Sequence, residues 1–356
     1  MRVLVLNCGS SSIKFKIVEV GTVNHEANDK SVYSLENGAV TGIGGQATLQ
    51  LMPNGLPASE SARFVPDHAA AVRWVFEHLS KTTFDAVGHR IVHGGDRFHT
   101  PVRIDASVLK EIQALSELAP LHNPAGVEAI QGAQAALGDI PMVAVFDTAF
   151  HQTLPVHAAT YAIPQELAAR HRIRRYGFHG IAHASLAAGY AAYTGRPLDR
   201  VRLITLHLGN GCSAAAIRHG RSVETSMGFT PLEGLVMGTR SGDVDPSVVS
   251  YLAGREGVSP AEIERWLNER SGLLGLSGLT HDMRELLRAD EHRHHPGAAL
   301  AIEVFCTECA NISARIWRFS VGPMPLSLEV VSANTRRRSA PGSARAWSGA
   351  GSSWTR

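Results

Sequence analysis

Two stretches far apart in this 356-residue chain share one local pattern, and that repeat constrains the fold more than any other feature. Arg2 to Leu6 reads as a buried strand. The turn Asn7-Cys8-Gly9-Ser10-Ser11-Ser12 follows, then a second strand, Ile13 to Val20. Val201 to Leu206, the turn His207-Leu208-Gly209-Asn210-Gly211-Cys212-Ser213 and Ala214 to Arg218 repeat the arrangement. Two such units in one chain point to an internal duplication, giving two lobes that can close around a ligand lying between their turns. Helices are expected between the strands. Asp67 to Leu79 carries an apolar stripe. Asn123-Pro124 reads as an N-cap with proline at the first helical position. Ser259-Pro260-Ala261-Glu262 reads as a capping box. Strands alternating with helices argue for an α/β fold. Residues 22–62 read as loops and edge strands. The length admits two domains of about 150 residues each, with the boundary near residue 150.

The densest local signal is Glu224 to Pro246, where Gly228, Gly234, Gly238 and Gly242 surround Arg240, Asp243 and Asp245. Glycines let a backbone bend sharply and approach a ligand closely. A guanidinium among them suits a carboxylate or a phosphoryl group, because its fork gives paired hydrogen bonds. Alone, the stretch reads equally well as a tight loop with one exposed Arg. It has company: GHRIVHGG over Gly88 to Gly95, VFDTAFHQTLP over Val145 to Pro155, and YGFHG over Tyr176 to Gly180. Arg90 ends an apparent buried strand, where a charge needs a partner. Asp147 ends the apolar run Met142 to Phe146. A carboxylate there is a base, an orienting group or, more plainly, a helix N-cap.

Composition narrows the function classes. The net charge of +2 misleads, because residues 307–356 carry seven Arg, no Lys and two Glu. The remaining 27 bases and 30 acids leave the body mildly acidic, at −3, with no nucleic-acid footprint. No apolar run is long enough for a membrane span, and Val3 to Leu6 is too short for a signal peptide. Four cysteines make no disulfide framework, so a reducing cytoplasm is the expected setting.

At these motifs the chain resembles the acetate kinase family, the short-chain acyl kinases, from residue 1 to about residue 306. The resemblance implies the two-lobed, duplicated RNase H-like α/β fold of the sugar kinase, actin and Hsp70 superfamily, with the second lobe incomplete. Residues 1–150 would form the acyl-substrate and magnesium side, and residues 151–306 the nucleotide side. It implies reversible transfer of the ATP γ-phosphoryl group to acetate, with Mg2+ or Mn2+, in a cytoplasmic homodimer. By the same resemblance Arg90 clamps the substrate carboxylate, while Val92, Leu121 and Pro231 line the acyl pocket. Asn7 contacts the metal. Lys14, His207, Leu208, Gly209, Asn210, Gly211, Asp282, Met283 and Arg284 contact ATP. Asp147 is the active-site acid, and His179 and Arg240 stabilise the transition state. Acetate is already ionised at neutral pH, so Asp147 is better read as positioning Arg90 or the metal than as a base. The family continues its histidine motif with Thr-Ser-His; here the chain reads Gly180-Ile181-Ala182-His183, which removes two hydroxyls. The alternatives are a propionate or butyrate kinase, and a non-catalytic remnant that binds nucleotide or phosphate.

The tail departs from the family. Its later Gly-Gly-Ile-Gly-Glu turn and metal-binding glutamate are missing. Residues 307–356 are rich in Ser and Arg, hold three of the five Trp, and read as disordered. Codons compatible with Thr307 to Phe319, read one nucleotide earlier, permit Tyr-Gly-Val-Arg-Lys-Tyr-Phe-Gly-Ala-Tyr-Leu-Ala-Val, an amphipathic helix. Continuing through Leu328 to Asn334 permits Gly-Gly-Gly-Ile-Gly-Glu-His. A frameshift just after Cys306 is therefore expected, with Cys309 an out-of-frame accident rather than half of a metal or redox pair.

Overall fold

The computed structural model describes the chain except for residues 22–31, 54–58, 80–81, 121, 322–329 and 333–356. It divides into two compact units, Met1–Ala149 and Phe150–Arg356.

In the first unit, strands β1 (Arg2–Cys8), β2 (Ser12–Val20), β3 (Val32–Thr41), β4 (Gly45–Pro53), β5 (Ser59–Val65), β6 (Ala86–Ile91), β7 (Val102–Arg103) and β8 (Met142–Phe146) form one sheet. Its order is β5-β4-β3-β2-β1-β6-β8-β7. β1, β6 and β8 are parallel neighbours, and the flanking pairs are antiparallel. Residues 32–53 and 59–65, expected up to residue 62 as loops and edge strands, extend the sheet as an antiparallel meander. The parallel centre reads Leu4, Leu6, Val87, Ile91, Met142, Ala144 and Phe146, all buried, the apolar character that parallel strands covered by helices require. Helix His68–His78 lies within the expected stretch Asp67 to Leu79, and Asp67 caps it: its carboxylate accepts from the amide of Ala70 at 2.7 Å.

Helix Asn123–Leu137 corrects one expectation. Its N-cap is His122, with proline in the first turn as expected. The Asn123 side chain does not cap the helix. It accepts from the amide of His93 at 3.1 Å and donates to the His93 carbonyl at 3.0 Å. An amide that can satisfy both backbone groups of a buried residue is held there in preference to capping its own helix.

In the second unit, β9 (Arg202–Leu208), β10 (Cys212–Arg218), β11 (Arg221–Thr225) and β12 (Val330–Ser332) pair in the order β11-β10-β9-β12. β10 is antiparallel to both β9 and β11, and β12 is parallel to β9. The first unit contains the same arrangement as β3-β2-β1-β6. The repeat read from the two turns is therefore matched in strand order and sense. Ser259 caps helix Pro260–Glu269 by accepting from Glu262 at 3.2 Å. The reciprocal half of the expected capping box is replaced, because the Glu262 carboxylate binds Arg265 and Trp266.

The tail also differs from expectation. Helix Pro296–Val321 runs unbroken through Cys306, with Ile312 and Ile316 buried. Disorder beginning at residue 307 is thus wrong for 307–321, and β12 occupies 330–332. Residues 307–321 keep a helical period that places Ile312 and Ile316 one turn apart on a buried face. The remainder of the expected disordered tail lies outside the described residues.

Candidate active site

In the first unit, register brings three predicted residues together. Asn7 near the end of β1 pairs with Lys14 on β2 on one side and with Arg90 on β6 on the other. Asp147 follows β8 directly, and its amide donates to the carbonyl of Ile91 at 2.9 Å. The Arg90 guanidinium donates to Asn7 Oδ1 from Nη1 at 2.8 Å and to Asp147 Oδ2 from Nε at 3.0 Å. It also donates to the same Asp147 oxygen through Nη2. Asp147 is 3 % exposed and Arg90 26 %, so the acid is locked in the sheet while the cation reaches out. A guanidinium carries five N–H groups. Three are used here, which leaves one on each terminal nitrogen, a pair suited to one carboxylate. Val92 is buried just beyond β6, and Lys14 is exposed on β2. Leu121 lies outside the described residues.

The neighbouring thiol is inert. Burial pushes Cys8 up to about 12 even with the Arg90 cation opposing it, and a thiol is a nucleophile only as thiolate. The turn after β1 is tighter than its sequence implies: the Gly9 amide closes it on the Ser12 carbonyl at 2.8 Å. Of its polar side chains, Ser10 and Ser11 are exposed.

In the second unit, His179 precedes helix Gly180–Thr194 in the left-handed conformation, φ 57°. Its Nδ1 lies 2.9 Å from Ser213 Oγ on β10, and its ring centre is 4.4 Å from that of His207 at the end of β9. Arg240 donates from Nη1 to the Pro231 carbonyl at 3.1 Å. His179 and Arg240 converge on Gly211: a Cβ there would stand 3.2 Å from His179 Cε1, 3.3 Å from its Nε2 and 3.4 Å from Arg240 Nη1. The turn Leu208 to Gly211 and the glycine-rich loop are fastened to each other. The Gly238 amide donates to the Asn210 carbonyl at 2.9 Å. A Cβ on Gly238 would lie 2.1 Å from Asn210 Oδ1, so this approach requires glycine. The Gly209 amide is turned inward onto the Gly211 carbonyl at 3.1 Å. Burial raises the Cys212 thiol to about 11, which removes it too from nucleophilic chemistry.

Sequence reasoning missed what holds the Pro231 loop. Tyr161 donates its hydroxyl to the Glu233 carboxylate and accepts from the amide of Phe229 at 2.8 Å. Arg175 pairs with the same carboxylate at 2.6 Å. Gly228 sits against this clamp, and a Cβ there would fall 1.6 Å from Glu233 Oε2 and 2.0 Å from the Tyr161 hydroxyl. Burial, reinforced by Glu233, pushes the Tyr161 phenol up, so it stays a donor. The close spacing of Gly228 and Glu233 in the glycine-rich loop was the only available signal; Tyr161 and Arg175 are too distant in sequence to be inferred.

Asp282, Met283 and Arg284 are placed at a helix start. Asp282 caps helix Met283–Arg293 through the amide of Arg284 at 2.8 Å and pairs with the Arg284 guanidinium. Those bonds hold its carboxylate well below the usual range. Met283 packs against the cluster of Val236, Leu273, Leu286 and Ala298. This geometry accounts for all three residues as local structure.

The sequence profile of the acetokinase family matches residues 2–319. The acetate kinase of Chloroherpeton thalassium is 45% identical over 322 residues, covering 86% of this chain and 77% of that protein. The acetate kinase of Solibacter usitatus is 48% identical over 320 residues, covering 86% and 76%. The crystal structure of Porphyromonas gingivalis acetate kinase superposes with a TM-score of 0.80 at 38% identity, over 89% of this chain and 80% of that one. A propionate kinase from Francisella tularensis gives 0.81 at 38% identity, over 92% and 82%. With this match across most of its length and the Asn7–Arg90–Asp147 and His179–Arg240 groupings in place, the chain belongs to the acetokinase family.

Proposed function

We infer that this chain is an acetate kinase, a phosphotransferase with a carboxyl acceptor. It transfers the γ-phosphoryl group of ATP reversibly to acetate, giving acetyl phosphate and ADP by direct in-line displacement. The observation that carries the reading is Arg90, fixed by Asn7 and Asp147 with one N–H left on each terminal nitrogen. Those two N–H groups bind the acetate carboxylate, and Val92, buried just beyond the same strand, lines the acyl pocket. Asp147 acts by orienting Arg90. Phosphoryl transfer requires alignment and charge stabilisation rather than covalent work from the protein. His179 and Arg240, converging on Gly211, meet the equatorial oxygens of the transferring group, where such donors contribute a few kcal/mol each. The turn His207 to Gly211 holds the nucleotide phosphates, and the Asp282-Met283-Arg284 segment lies along the nucleotide.

Family membership brings ATP as donor and a divalent metal; Mg2+, with Mn2+ able to replace it, is part of this reading. Asn7 Oδ1 and the Asp147 carboxylate are hard oxygen donors. Among the described residues no group of three His, Cys, Asp or Glu forms a cage. Oxygen donors of this kind suit a cation that keeps its waters and takes phosphate oxygens, and when bound it would neutralise phosphate charge. A homodimer in the cytoplasm completes the proposal. No helix among the described residues is long and apolar enough to cross a membrane. A shallow pocket discriminates by roughly 1–3 kcal/mol per methylene, so propionate is a poorer substrate than acetate, not an excluded one.

The test incubates the 356-residue chain with ATP, magnesium and acetate and traps acyl phosphate with hydroxylamine. The expected result is hydroxamate that disappears with Arg90→Ala and with Arg240→Ala. ATP binding without any hydroxamate from folded protein would overturn the reading in favour of a non-catalytic remnant.

A further inference from the structure

His183 is fully buried and has no part in the chemistry above. Its Nδ1 lies 2.7 Å from Thr205 Oγ1 and its Nε2 2.8 Å from Ser213 Oγ. The same Ser213 Oγ stands 2.9 Å from His179 Nδ1. Four side chains thus form one line running from β9 through the buried imidazole to the site. Burial, with His151, His179 and His207 nearby, holds His183 well below its ordinary range, so it carries a single N–H.

The polarity of the line follows from its β9 end. Thr205 Oγ1 also lies 3.4 Å from the carbonyl of Ala215, which can only accept. With its proton directed there, Thr205 accepts from His183 Nδ1–H. His183 Nε2 then accepts the Ser213 hydroxyl proton, and Ser213 Oγ accepts from His179 Nδ1–H. At the other end, the Cε1–Nε2 edge of His179 and Nη1 of Arg240 both lie close to Gly211. Titratable groups packed near this assembly include His207, 4.4 Å from the His179 ring centre, and His151, 5.7 Å from that of His183.

We propose that Thr205, His183 and Ser213 are positioning residues that fix the proton of neutral His179 on Nδ1, so that its Nε2 donates to the phosphoryl oxygens only when the ring is protonated. The second clause rests on the proposed role of His179 in phosphoryl transfer; the first does not.

Long-range proton–nitrogen correlation spectra of the uniformly 15N-labelled full chain, taken above the His179 titration, decide the matter. The His179 signals are identified by their loss in His179→Gln. The expected tautomer is Nδ1–H. In Thr205→Val, His183 loses its Nδ1 partner and its proton moves to Nε2. The line then reverses, and His179, which Thr205 does not touch, should switch to Nε2–H. In kinetics, a tenfold fall of kcat per pH unit is expected on the alkaline side in the parent chain, flattened in Thr205→Val. A purely structural role would lower kcat at every pH alike. Nε2–H in the parent chain, or an unchanged His179 tautomer in folded Thr205→Val, would overturn the proposal. If that variant does not fold, the parent spectrum alone decides. The spectrum is readable without turnover, so an inactive chain with the expected tautomer would sink the kinase reading and leave the relay standing.

Discussion

Asp147→Asn is the sharpest single perturbation, because it separates orientation from proton transfer. The carboxylate is buried and one of its oxygens receives both Nε–H and Nη2–H of Arg90. Asparagine keeps the shape and one acceptor oxygen but loses the charge. Hydrogen bonds to charged groups contribute roughly 1.5–3 kcal/mol. Losing the equivalent of one such bond leaves Arg90 held by Asn7 and a weakened partner, free to rotate away from the acetate carboxylate. At 1.4 kcal/mol per decade the expected fall in kcat/KM for acetate is about 10- to 150-fold, carried mainly by KM for acetate, with KM for ATP unchanged. The hydroxamate assay across pH 5.5 to 9 reads both constants. The shape of the pH profile should be that of the parent, since acetate needs no base. A loss confined to kcat, with an acidic limb that vanishes in the variant, would mark Asp147 as a proton acceptor and refute the orientation argument. Parent-like kcat/KM would refute it equally.

Three further outcomes follow from the geometry. Gly228→Ala drives a methyl into the Tyr161–Glu233–Arg175 clamp; losing its two Tyr161 bonds should destabilise the chain by about 2–4 kcal/mol, read as a lowered urea midpoint, and a parent-like midpoint would show the clamp is not holding the loop. His89 is held down to about 4 by burial against an ordinary 6.5, so the unfolded chain takes up the proton first as pH falls. The resulting stability is complete above about pH 6.5 and is lost towards pH 4, reaching about 3 kcal/mol; urea titrations at each pH should show this slope, diminished in His89→Gln. Restoring the reading frame one nucleotide earlier after Cys306 should raise kcat in the hydroxamate assay, and sequencing that finds no single-base shift compatible with the glycine turn removes the frameshift account.

How much of this was legible in the sequence depends on the range of the interaction. Strand limits and helical stripes are set by neighbours, so β1, β2, β8 and the helix within Asp67 to Leu79 were readable from period and residue type. Arg90 and Asp147 were readable as candidate site residues because a charge ending a buried strand demands a partner. That they partner each other required the register of β6 between β1 and β8. Asn123 shows the limit even at short range. Its sequence fits a cap, but a buried backbone pair at His93 uses both ends of its amide, and the tertiary demand prevails. The tail shows a different limit: composition argued for disorder, while the spacing of Ile312 and Ile316 carries the helix past Cys306. His183 lies furthest from view. It sits one helical turn after His179 on the same face, and the chain holds 18 histidines. What distinguishes it is the pairing of Thr205 and Ser213 on adjacent strands, in a register where both hydroxyls reach one imidazole. The two missing hydroxyls at Ile181 and Ala182 therefore leave this line whole, since every hydroxyl in it comes from the sheet rather than from the helix.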